Sequence, residues 1–136
     1  MPHVIVEYSA NLEPALDVPM LVRNVHDAVL DSGIFQIGAV RTRAERRDLC
    51  VVADGDPTNC FIHIEVRMAS GRDGAARKRL AEAILATVAT DTRDVYAQAG
   101  MGLSVEVREI DSTAAVRLNN LHERMAAKGI SRRAIS

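Results

Sequence analysis

The stretch Met1-Pro2-His3-Val4-Ile5-Val6-Glu7-Tyr8 decides how the rest of the chain is read. His3 to Tyr8 is rich in β-branched residues. It alternates, with Val4, Val6 and Tyr8 on one face and Ile5 and Glu7 on the other, as a strand with one buried side does. The pattern returns about sixty residues later, where Ile62-His63-Ile64-Glu65-Val66-Arg67 lines up with Pro2-His3-Val4-Ile5-Val6-Glu7. Proline is tolerated at the start of a strand because no ladder donor is needed there. Methionine aminopeptidases remove Met1 when the second residue is small, and removal would turn Pro2 from an amide into a free secondary amine. Amines of this kind have a reference pKa of roughly 8 and act as bases. A strand would hold the base rigidly, whereas most chain ends are loose. The plain alternative is that Pro2 is an ordinary second residue.

Outward from this strand, Asp17 is a candidate N-cap for a helix running to about Asp31, with Pro19 in its first turn. Leu21, Val25, Ala28 and Val29 fall at helical spacing and are expected to face a sheet, and Gly33 is a natural stop. Ile37 to Arg43 reads as a second strand, Ala44 to Asp48 as a polar interruption, and Leu49 to Ala53 as a short strand ended by Asp54-Gly55-Asp56-Pro57. Cys60 to Met68 is the clearest strand. Asp73 can cap a long helix to about Gln98 with a stripe of Leu80, Ile84, Val88 and Val95, and Leu103 to Ile110 is a last strand after Gly100 and Gly102.

This order predicts an α/β (α+β) domain: a tandem β-α-β repeat forming one four-stranded mixed sheet with two helices on one face. Each crossover makes its own two strands parallel and right-handed. Residues 1–128 form a single domain in this reading, with halves of about 1–58 and 59–112, a short C-terminal helix over about 113–128, and a basic, mobile tail at 129–136. The sheet face without helices would be left with uncovered apolar side chains, so self-association is expected.

Composition narrows the function classes. Hydrophobic content of 48% and charged content of 26% suit a soluble globular chain. A net charge of -1 gives no electrostatic case for nucleic acid or an anionic membrane, and 3% aromatics without Trp leave few stacking platforms. No apolar run approaches the roughly 20 residues of a membrane span, and no signal-peptide pattern is visible. Cys50 and Cys60 do not make a disulfide framework, which points to a reduced, cytoplasmic setting. His3, His26, His63 and His122 have no metal-ligand spacing with the cysteines, so no metal site is expected. His63 reads as structural.

The remaining chemistry is basic. Arg41 and Arg43 share one face of the second strand, and Arg46 and Arg47 follow. They read equally as a solvated run or as a carboxylate clamp, since guanidinium offers a bidentate fork to planar anions. Arg72 stands before the second long helix, with Arg77, Lys78 and Arg79 in its first turns, where cations oppose the helix dipole and hint at a recruited anion. No Gly-rich phosphate loop or nucleophile elbow is present. One potential amine base plus several arginines suits proton transfer on an anionic substrate.

Several of these segments together resemble the 5-carboxymethyl-2-hydroxymuconate Δ-isomerase family of the tautomerase superfamily. They are Pro2-His3-Val4-Ile5-Val6-Glu7, Ser32-Gly33-Ile34-Phe35, Arg41-Thr42-Arg43, Ala53-Asp54-Gly55, Phe61-Ile62-His63, Ser70-Gly71-Arg72 and Asn119-Asn120-Leu121-His122, in order from Pro2 to about Met125. The resemblance implies a cofactor-independent homotrimer of tandem β-α-β units that ketonises a 2-hydroxymuconate-like dicarboxylate in homoprotocatechuate breakdown. It implies Pro2 as catalytic base after loss of Met1, Arg41 and Arg72 as catalytic and carboxylate-binding residues, and Arg43 as a further binding residue. Ala44-Glu45-Arg46-Arg47 departs from the bulky or aromatic residues expected there and would change a pocket wall. Other readings stay open at this point: a superfamily relative of other specificity, or a non-catalytic trimeric module that binds a small acid or a protein.

Overall fold

The computed structural model describes residues 1–130. Strand β1 (His3–Ser9) lies at the centre, flanked by β2 (Arg41–Arg47) in parallel and β3 (Cys60–Ala69) in antiparallel, and β4 (Met101–Ile110) completes the sheet parallel to β3. The order is β2-β1-β3-β4. Each half is therefore strand, helix, parallel strand, and the two halves join through the antiparallel β1–β3 pair. Helix α1 (Val18–Asp31) and helix α2 (Gly74–Asp91) connect them, followed by the short α3 (Arg93–Gln98) and α4 (Leu121–Ala127). None of these helices is long and apolar enough to cross a membrane.

The period-two pattern decides which face is buried. Val4 and Val6 of β1 and Ile64 and Val66 of β3 are fully buried, and they pair across the β1–β3 ladder. Leu21, Val25 and Val29 of α1 and Leu80, Ile84 and Val88 of α2, each four residues apart, close the same core from above. Both helices start where a carboxylate can take an orphan amide: Asp17 accepts from the Met20 N–H at 3.0 Å and Asp73 from the Ala76 N–H at 2.7 Å. Gly33 ends the α1 segment with a left-handed φ of 72°.

Four readings of the sequence differ from the structure. The second strand is not Ile37–Arg43 but Arg41–Arg47; Ile37–Ala39 is a 3-10 turn, and the polar Ala44–Arg47 is strand because β1 supplies its ladder. Leu49 to Ala53 is loop, with Leu49 97% exposed, since no strand lies beside it to pair with. The long helix breaks at Thr92, whose buried hydroxyl donates to the Val88 carbonyl at 2.7 Å, a back-bond that disfavours continuation. The helix expected over about 113–128 is a 3-10 turn at Ser112–Ala114, an irregular strap over 115–120, and then α4. Of the tail, Gly129 and Ile130 close α4, with the Ile130 N–H donating to the Met125 carbonyl at 2.8 Å; 131–136 lie outside the described residues.

The sheet face without helices is also different in kind from the expectation. It is mostly polar, with Ile5 of β1 and Phe61 of β3 as half-buried apolar exceptions. Arg47 donates to Glu7 at 2.7 Å, His63 contacts Ser104 at 2.6 Å, and Glu65 lies 3.6 Å from both Arg67 and Arg108. The most exposed large apolar side chains sit instead on two connecting segments, at Leu49 and Val51 after β2 and at Val116 and Leu118 on the strap.

Truncating Ile64 to Ala in the centre of this core should cost about 2–5 kcal/mol of stability. Urea unfolding checks it, and a loss under about 1 kcal/mol would mean that the β3 core side is not packed as described.

Candidate active site

All four strands bring one end to the same place. β1 and β2 begin there, β3 and β4 finish there, and His3 stands opposite both Arg41 and Arg67. Pro2 is buried at this end, and its carbonyl accepts the Arg41 N–H at 3.1 Å. Met1 is half-buried over it. A cavity of about 300 Å³ opens beside Met1, lined also by His3, Arg67, Asp111, Ala114 and Ala115.

The electrostatics favour a neutral amine here. The terminal amine is held below its ordinary value of 8.0, first by burial and then by the positive charges of Arg41 and Arg117. The His3 imidazole is likewise pushed below 6.5, by burial and then by Arg43, the terminal amine, Arg41 and Arg67. Arg43 Nη1 lies 2.9 Å from His3 Nδ1; guanidinium only donates, so Nδ1 accepts and the imidazole proton sits on Nε2. Asp111, on the cavity wall, accepts from the Thr113 N–H and hydroxyl, which holds its carboxyl below the usual range.

The residues singled out from sequence separate into four groups. Pro2 and Arg41 are adjacent, and Arg41 is braced by a 2.8 Å bond from Nη1 to the Ala39 carbonyl. Arg43 is one step removed, on His3. Arg72 leaves the same end of the sheet, with Nη2 donating to the Ile34 carbonyl at 3.0 Å and its guanidinium 5.1 Å over the Phe35 ring. Arg46 and Arg47 clamp carboxylates of their own chain, Glu13 and Asp48 for one and Glu7 and Glu45 for the other. They stand at the far end of β1 from Pro2, so within this chain the Ala44–Arg47 departure does not form the pocket wall. The anion expected at the start of α2 is also internal: Glu109 of β4 accepts the Gly71 N–H at 3.1 Å and lies 3.5 Å from Arg77.

Arg117 is the residue that sequence reasoning missed. It falls within the segment read as a C-terminal helix and was not singled out. The strap that carries it runs from β4 on one edge of the sheet to α4, which packs on the Ile37–Ala39 turn beside β2 at the other edge. Gly38 permits that docking: a Cβ there would stand 3.0 Å from both the backbone nitrogen and Nδ1 of His122. A second cavity, about 520 Å³ and lined by Ile37, His122, Met125 and Ile130 among others, lies under α4 and shares no residue with the cavity beside Met1.

Comparison with known proteins places these features in context. The family model described as 5-carboxymethyl-2-hydroxymuconate isomerase matches residues 2–125. The 5-carboxymethyl-2-hydroxymuconate Delta-isomerase of Escherichia coli is 29% identical over 122 residues, spanning 90% of this chain and 97% of that one. The crystal structure of a 5-carboxymethyl-2-hydroxymuconate isomerase from Deinococcus radiodurans R1 superposes with a TM-score of 0.85 at 30% identity, covering 90% of this chain and 92% of its own. A fused 4-OT symmetric trimer shares the fold, with a TM-score of 0.60 at 19% identity over 86% and 94% of the two chains.

Gly38→Val should displace α4 and the strap, because its side chain would fill the space of His122. Limited proteolysis after residue 110 should accelerate while the sheet's far-ultraviolet signature persists; unchanged proteolysis would show that the contact does not hold the strap.

Proposed function

Because this chain belongs to the 5-carboxymethyl-2-hydroxymuconate isomerase family, we propose that it moves a proton on a 2-hydroxymuconate-like acid with Pro2 as the base. The observation that carries this reading is the burial of Pro2 beside Arg41, under an amine whose charge the site disfavours. While Met1 is attached, the Pro2 nitrogen is a tertiary amide and cannot accept a proton. Removal of Met1 frees that nitrogen at the cavity Met1 now lines. The new amine then meets the same burial and the same arginines one residue further in.

The reaction needs no group beyond these side chains. The neutral Pro2 nitrogen takes the proton of the 2-hydroxyl. The oxygen's electron pair forms the C2 carbonyl, the C2–C3 double bond moves to C3–C4, and the C4–C5 double bond takes the proton back from prolinium at C5. Arg41 beside the nitrogen stabilises the dienolate oxygen and an adjoining carboxylate. Arg72 offers its remaining guanidinium donors to a second carboxylate, its plane fixed by the Ile34 carbonyl and the Phe35 ring. Arg43 orients His3 beside the base.

The chain works as a trimer in this reading, as the fused 4-OT structure is. The exposed Leu49, Val51, Val116 and Leu118 supply apolar surface for neighbouring subunits to cover.

Intact mass of the mature protein should lack one methionine, and an ultraviolet assay should show enol-to-keto conversion of 5-carboxymethyl-2-hydroxymuconate. Active enzyme that retains Met1 would overturn the role of Pro2. A base whose pKa is lowered is neutral over more of the pH range, so kcat/KM should rise with pH and level off below pH 8.0, the amine's ordinary value. Arg41→Gln removes a charge that disfavours prolinium, so the limb should move up in pH and activity should fall more at pH 6 than at pH 8. A limb that stays in place would argue that Arg41 does not act on the base.

A further inference from the structure

The substrate class itself raises a question of charge. A muconate has two carboxylates, and a carboxymethyl arm adds a third. Arg41 and Arg72 account for two. Other arginines towards this end of the sheet are already committed to this chain's own groups: Arg43 to His3, Arg67 to Glu65, Arg77 to Glu109. Arg117 is different. Among the described residues it makes no hydrogen bond or ion pair, although its charge reaches the terminal amine alongside that of Arg41.

The exposed Arg117 side chain rides on a strap anchored at both ends, two residues beyond the cavity-lining Ala115. Asp111 fixes the start of the strap through Thr113, and the Gly38–His122 contact fixes its end. Between them, Ala114 and Ala115 form part of the cavity wall shared with Met1 and His3, and Val116 and Leu118 are fully exposed. Two cations held near one amine repel each other and the protonated base, and an anionic ligand relieves both. We propose that Arg117 binds the third carboxylate of the substrate, so that the strap selects a carboxymethyl-bearing muconate over a plain one. This rests on the substrate reading above and deepens it.

The test compares wild type with Arg117→Gln and Arg117→Lys on 5-carboxymethyl-2-hydroxymuconate and on 2-hydroxymuconate. A charge-assisted contact corresponds to about a tenfold change or more. Arg117→Gln should lose that in kcat/KM on the three-carboxylate acid, mainly through KM, with much less change on the two-carboxylate acid; Arg117→Lys should restore most of it. The pH limb should also move up in Arg117→Gln, since the other groups at the amine stay in place: Arg41, Arg67 and His3 as before, and Asp111 still ionised. Calorimetry with propane-1,2,3-tricarboxylate against pentanedioate reads binding without turnover, and Arg117→Gln should weaken only the former. Equal losses on both acids, or none, would overturn the proposal. Wild-type protein that turns over neither acid would overturn the substrate reading, while the calorimetric pair would still decide for or against Arg117.

Discussion

The fold depends on β1 being hydrogen-bonded on both sides. Parallel pairing to β2 and antiparallel pairing to β3 leave this strand no freedom from His3 onward. Chain ends are ordinarily the loosest part of a protein. Here the first residues lie on the central ladder of the sheet, with Val4 and Val6 fully buried beneath two helices. A nitrogen at position 2 is therefore placed as firmly as a core side chain, which is what proton transfer by a backbone amine requires.

The same ladder gathers the arginines. Parallel pairing sets Arg41 against His3, so the start of β2 delivers a cation to the start of β1. Antiparallel pairing carries the end of β3 to the same place, and with it the turn bearing Arg72. Closing the far edge, β4 runs parallel to β3 and releases the strap across the end of the sheet. Positive charge gathers at that end without a strongly basic composition, since Arg46, Arg47, Arg77 and Arg108 are matched by carboxylates on the open face and the loops. The positive charges that hold the terminal amine below its ordinary value would also favour an anion, so in the proposed reaction binding and base strength are coupled rather than separately tuned.

Legibility followed the strength of the local signal. Strands β1 and β3 and helix α1 carry apolar periodicity with capping residues, and their reading agreed with the structure closely. The edge strand β2 was misplaced because Arg-Thr-Arg-Ala-Glu-Arg-Arg has no apolar alternation; its partner strand, not its own composition, makes it a strand. Leu49 to Ala53 failed in the opposite way, with β propensity and no partner. The break at Thr92 depended on one hydroxyl finding one carbonyl. In the candidate site, Pro2, Arg41 and Arg72 were visible as residue types and as a family resemblance, whereas Arg117 was hidden by a helical reading of a segment that has no regular structure.

Sequence alone determined the tandem β-α-β order, the buried faces of β1 and β3, the caps at Asp17 and Asp73, and a proline in second position at the head of the central strand. These are local properties: periodicity, β-branching and capping chemistry act within a few residues. Tertiary structure alone decided that Arg46 and Arg47 serve ion pairs at the wrong end of β1, that Arg77 answers Glu109, that the helix-free face is mostly polar, and that Arg117 returns to the amine. Each of these joins residues far apart in the chain, and their distances are fixed only once the strands have paired and α4 has docked on Gly38.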